Sequence, residues 1–141
     1  MLLGSGMSIE FNLSGFLLDG NSAWDLVYYE KEETSAAGKI HLGAVLIEVY
    51  DQTTGAWYAI YNWGDGVADA NASYNNGTEP DGFPVNKSLL SGAPPLNTGI
   101  AIDLDVPAIG QGGNVGDSIT KIRITSLSSN DCEIDSLQML R

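Results

Sequence analysis

The 141-residue chain carries 18 acidic residues against six Lys plus Arg, a formal net charge of −12, with 17 glycines and a single cysteine. That balance opposes binding to nucleic-acid phosphates or anionic lipid, which both work through basic patches, and no apolar run approaches the ~20 residues of a membrane span. One cysteine rules out an intramolecular disulfide, and the length suits a single domain over residues 1–141 that buries roughly two-thirds of its unfolded surface.

The first residues, Met1 to Met7, are too few and lack the basic start of a secretory leader, so a leader serving export is expected to lie outside this stretch. Ile9, Phe11 and Leu13 then alternate with Glu10, Asn12 and Ser14, the period of two that marks a half-buried strand, which Phe16-Leu17-Leu18 extends. After a turn cluster at Asp19-Gly20-Asn21-Ser22, Trp24 to Glu30 reads as a second strand, with Leu26 and Tyr28 opposite Asp25, Val27 and Tyr29. A polar connection leads through Ile40-His41-Leu42-Gly43 into a β-hairpin. In its first arm Val45, Ile47 and Val49 alternate with Leu46, Glu48 and Tyr50. Asp51 to Gly55 turns the chain, with Gly55 suited to positive φ, and the second arm, Ala56 to Trp63, resumes the period of two.

Residues 64–98 are rich in Asp, Asn and Gly and lose hydrophobic periodicity, which predicts a long loop region of a kind that often carries function. Phe83-Pro84-Val85 and Leu89-Leu90 are its apolar anchor points, with room for short strand pieces. Gly99 to Val106 reads as a strand with Ala101, Asp103 and Asp105 on one side. The glycine-rich stretch from Ile109 to Asp117 lacks the strand-to-helix setting of a phosphate cradle, and Ser118 to Thr125 and Glu133 to Leu140 supply the last strands. No apolar stripe at helical spacing interrupts this rhythm, so the predicted fold is all-β, an antiparallel β-sandwich (jelly roll) of about eight strands in two sheets.

Three pieces in fixed order carry a family resemblance: Trp24 to Glu30, Val45 to Tyr58, and Lys121-Ile122-Arg123-Ile124-Thr125 with Cys132 to Leu137. Together they resemble the discoidin-like, galactose-binding-like jelly-roll modules of bacterial secreted and surface proteins. The resemblance spans most of the chain and implies an eight-stranded sandwich used for carbohydrate or surface binding, often with a structural calcium ion. Segment 64–98 has no counterpart in that pattern, so no family ligand site carries over to it, and fold transfers better than function.

Calcium takes six to eight hard oxygens, which Asp- and Asn-rich loops supply. The candidate clusters are Asp19 with Asn21, Asp65 with Asp69 and Asn71, and Asp131 with Glu133; Asp19, Asp131 and Glu133 are the expected metal ligands. Asp25 and Asp135 fall within strands, where an inward aspartate needs a partner such as Arg123 and an outward one needs none. Trp57, Tyr58, Tyr61 and Trp63, with Tyr28, Tyr29 and Tyr50, form an aromatic set on adjacent strands. Aromatic faces stack on sugar rings while Asp and Asn bind hydroxyls, so Trp57, Tyr61, Trp63, Asp65 and Asn71 are the expected carbohydrate-binding residues, with core packing the alternative for any one ring.

His41 is the only histidine, which removes a His-based triad or a multi-histidine zinc site, and acidic neighbours Asp131 and Glu133 disfavour a reactive thiolate at Cys132. The expectation is a non-catalytic, secreted or cell-surface binding module for carbohydrate. The alternative is a structural subunit that assembles with neighbouring copies of itself through terminal or edge strands, and the position of residues 1–14 separates the two. Asn-x-Ser/Thr triplets at Asn12, Asn71, Asn76 and Asn86 would permit glycosylation of an exported surface.

Overall fold

The runs of alternating apolar residues form strands because one face of each is buried against a second layer. In a computed structural model of the chain, residues 1–21, 23–30, 38–74, 83–86, 99–105, 116–128 and 132–140 are described, with His41, Phe83, Pro84 and Asn86 described by their backbone only. The strands are β1 (Leu2–Leu3), β2 (Ser8–Leu17), β3 (Leu26–Glu30), β4 (Lys39–Leu42), β5 (Val45–Asp51), β6 (Ala56–Trp63), β7 (Phe83–Asn86), β8 (Gly99–Ile102), β9 (Ser118–Ser126) and β10 (Cys132–Met139). No helix occurs among the described residues.

Two antiparallel four-stranded sheets result, one in the order β1-β10-β3-β8 and the other β2-β9-β5-β6, with β4 and β7 as a separate pair. Leu26, Tyr28, Ile100 and Ile134 of the first sheet share one buried cluster with Ile47, Val49, Ile122 and Ile124 of the second, so the two sheets enclose a common core. The chain is therefore an all-β sandwich of about eight strands, as the periodicity predicts. The segment expected to be irregular contributes β7, and residues 75–82 and 87–98 of it lie outside the described residues.

The hairpin turn forms as the sequence predicts. Asp51 Oδ1 accepts the Thr53 amide at 2.7 Å, its Oδ2 accepts the Thr54 hydroxyl at 2.6 Å, and Gly55 takes φ 72°. Burial alone would push the Asp51 carboxyl up, but the hydrogen bonds from Thr54 and Thr53 outweigh it and hold the pKa below the usual carboxylate value.

The second arm departs from the expected period. Ile47 pairs with Tyr61 and Glu48 with Ala59, so Ile60 is an extra residue in β6, a β-bulge. Before the bulge Trp57 and Ala59 face outward; after it Tyr61 and Trp63 face the core. The strand expected over Gly99 to Val106 also stops early, at Ile102, and Asp103-Leu104 turns away.

Candidate functional site: an outer sheet face and an acidic cluster

The bulge at Ile60 divides the expected carbohydrate-binding residues. Tyr61 and Trp63 are 0% and 1% exposed, and Trp63 lies against Tyr74 with ring centroids 5.4 Å apart, so neither ring presents a face to an external sugar. Burial, with Asp69 and Glu30 nearby, pushes the Tyr61 hydroxyl pKa well up. Asn71 is buried too: its Nδ2 donates to Ile60 O at 2.7 Å and to Asp103 O at 3.0 Å, tying β6 to the chain beyond β8. Asp65 is exposed and caps a turn, accepting the Val67 amide at 2.8 Å and Asn62 Nδ2 at 2.9 Å. The structure thus keeps Trp57 on the surface and assigns Tyr61 and Trp63 to the interior, because one inserted residue reverses the side on which a strand places its side chains, while Asn71 is held in the interior by its own hydrogen bonds to Ile60 O and Asp103 O.

Trp57 belongs to a different group from the one expected. The registers of the second sheet set Glu10, Arg123, Glu48 and Ala59 in one transverse row on its outer face and Asn12, Lys121, Tyr50 and Trp57 in the next. Arg123 Nε donates to Glu48 Oε2 at 2.8 Å, Arg123 Nη1 lies 3.8 Å from Glu10 Oε1, and the guanidinium sits over the Trp57 ring, 4.1 Å from its centroid. Tyr50 packs on Trp57 at 5.3 Å between centroids, and Lys121 Nζ lies 5.7 Å from the Tyr50 centroid. The Glu48 hydrogen bond, opposed by burial and aided by the Glu48 and Glu10 charges, raises the Arg123 pKa above its usual value. Each such ion pair adds only ~0.2–1 kcal/mol on a surface. Their combined effect is order: charged and aromatic side chains hold one another on the sheet face.

Arg123 is therefore not the partner of Asp25. Asp25 precedes β3 and is 0% exposed, and its Oδ2 accepts the Leu104 amide at 2.9 Å. Leu26 pairs with Ile102, so the residues flanking that pair, Asp25 before β3 and Asp103 after β8, become neighbours. Carboxylate oxygens of Asp25, Asp103 and Asp105 lie within 4.8 Å of one another. The turn after β2 joins them, the Gly20 amide donating to Asp105 Oδ2 at 3.1 Å. Burial raises the Asp103 and Asp105 pKa values; the Asp105 amide opposes this at Asp103, while the Asp103 and Asp19 charges add to it at Asp105.

Two oxygens bound to one Ca²⁺ at about 2.3–2.6 Å are at most ~5 Å apart, so this all-oxygen donor set fits a hard divalent cation. Of the expected metal ligands, Asp19 lies close enough to act electrostatically on this set. Glu133 is on β10 opposite Leu2 and outside the set, and Asp131 lies outside the described residues. Asp135 is exposed. Of the glycosylation triplets, Asn12 is exposed and Asn71 buried, while Asn76 and the Asn86 side chain are outside the described residues.

Asp69 holds the loop after β6 in place. It is 3% exposed, and its carboxylate accepts the Asn62 amide at 3.3 and 3.4 Å. Burial, opposed by the Asn62 amide and reinforced by Asp65, raises its pKa to about 6. An acid whose pKa is higher folded than unfolded stabilises the fold below the unfolded value and loses that contribution as pH rises through the folded value. The window here is pH 4 to 6. Asp69→Asn, which keeps an acceptor but never ionises, is expected to gain up to about 3 kcal/mol relative to wild type between pH 4 and pH 7. Urea melts of both proteins across that range measure it, and a constant difference would mean Asp69 titrates normally.

The sequence pattern placed Tyr50 in the aromatic set but not Glu10, Glu48 and Lys121 as its companions, and it set Asp103 and Asp105 with Ala101 on one side of a strand rather than in a cluster with Asp25. The period-two pattern of β5 and β9 was the available signal for the first group, and the Asp103-Leu104-Asp105 spacing for the second. Comparison of the chain with protein-family models, with curated proteins and with solved structures gives no match.

Proposed function

We propose that this chain is a non-catalytic, extracellular or cell-surface module that binds a saccharide on the outer face of its second sheet. The observation that carries the reading is the ordered row of Asn12, Lys121, Tyr50 and Trp57 beside Glu10, Arg123 and Glu48. Sugar rings offer apolar C–H faces together with hydroxyls that both donate and accept. A face that mixes half-exposed aromatic rings with carboxylate acceptors, cationic donors and an amide meets both requirements. Within one chain β1 pairs with β10, and β2 with β9, so residues 1–14 can complete the sheets of their own module. Calcium at Asp25, Asp103 and Asp105 belongs to the same proposal as a structural ion, bracing the ends of β3 and β8 away from the sugar.

Screening on a glycan array followed by calorimetry tests the reading. Trp57→Ala is expected to weaken saccharide binding about tenfold, the loss of one aromatic contact, while thermal unfolding changes little because the ring is half-exposed. Binding by Trp57→Ala equal to wild type, or no saccharide bound by either, would sink it.

A further inference from the structure

The charges on the outer face of the second sheet differ from those of the rest of the molecule. Lys121 and Arg123 stand two residues apart on β9, roughly 7 Å along the strand, with Glu10 and Glu48 in the row of Arg123. These four charges sum to zero on a chain whose formal net charge is −12. They are not distributed evenly. Arg123 is engaged by Glu48 at 2.8 Å and Glu10 at 3.8 Å, whereas the row of Lys121 contains only the uncharged Asn12, Tyr50 and Trp57. Among the described residues no carboxylate pairs with Lys121, whose ammonium is placed by the Tyr50 ring alone.

Resting on the saccharide reading above, we propose that Lys121 is a specificity-determining residue that selects a saccharide carrying an isolated acidic group. An ammonium offers three donors and a point charge, and a compact anion beside the Tyr50 and Trp57 rings satisfies both. The acidic remainder of the surface limits the occupant. At physiological salt, charges beyond about 8 Å are screened, so one anion at Lys121 escapes the distant carboxylates. A densely charged polymer would be brought against them and repelled. The ligand is therefore an otherwise neutral oligosaccharide bearing a uronate carboxylate or a sulfate ester.

The experiment uses the full chain and three oligosaccharides of one backbone, one neutral, one with a single uronate and one with a single sulfate, measured by calorimetry at 50 and 500 mM NaCl. Wild type is expected to bind at least one charged form about tenfold more tightly than the neutral form, and the two charged arms tell carboxylate from sulfate. Lys121→Gln is expected to abolish that preference, Lys121→Arg to retain it, and high salt to reduce it. Unchanged thermal unfolding shows that Lys121→Gln is folded. Equal affinity for neutral and charged forms, or a preference that survives Lys121→Gln, overturns the role of Lys121 and leaves the saccharide reading standing. Failure of all three to bind while an unrelated neutral glycan binds also overturns the acid preference, and absence of binding to any glycan overturns both.

Discussion

Trp63→Ala is expected to lower the unfolding free energy by about 3–5 kcal/mol, the range for truncating a large buried aromatic side chain, because the indole is 1% exposed and lies against Tyr74 in the shared core. Trp57→Ala, six positions earlier in the same strand, is expected to cost about 1 kcal/mol or less, the loss of one aromatic pair and a cation–π contact at the surface. The two substitutions remove the same side chain from one strand, so the contrast measures the consequence of the bulge at Ile60. Urea melts analysed for midpoint and slope make the comparison, with an unchanged slope showing that both variants unfold from the same compact state. Similar losses in the two variants would mean that β6 runs without the register shift and that Trp57 and Trp63 share a face.

Calcium is expected to stabilise the wild-type chain by about 2.7 kcal/mol at a concentration a hundred times its Kd, with chelation reversing the gain. The reason is the convergence of Asp25, Asp103 and Asp105 within 4.8 Å, where burial and neighbouring charge already raise the Asp103 and Asp105 pKa values. A cation bound to the folded form relieves that repulsion and has no equivalent site on the unfolded chain. Asp103→Asn gives the sharper result. Without calcium it should be at least as stable as wild type, since one of three clustered charges is gone and the side chain can still accept the Asp105 amide. With calcium it should gain little. Calorimetric melts in CaCl₂, MgCl₂ and EDTA decide the matter, and identical melts of the wild type in all three would remove the ion from the proposal.

Much of the architecture was legible because the physical rule behind it is local. Alternation of Val45, Ile47 and Val49 with Leu46, Glu48 and Tyr50 requires only that one face be buried, and Asp51 and Gly55 build their turn from contacts within the hairpin. The functional side chains were less legible because each depends on a partner distant in sequence. Asp25 lies 78 positions from Asp103, and only the antiparallel pairing of Leu26 with Ile102 makes the two carboxylates neighbours. Arg123 was a reasonable partner for an inward aspartate by composition, yet the sheet order sets it between Glu10 and Glu48 on the opposite layer.

By itself the sequence determined that this chain is all-β, that its hairpin turns at Asp51 to Gly55, and that phosphate-rich partners are opposed by charge, since periodicity, turn chemistry and net charge are properties of the chain read in order. The tertiary structure alone decided which aromatic residues reach the surface, which carboxylates converge and, among the described residues, that Lys121 stands beside the Tyr50 ring with no carboxylate paired to it. Those depend on one inserted residue at Ile60 and on the order of strands in each sheet, which are fixed only when the two layers close on a common core.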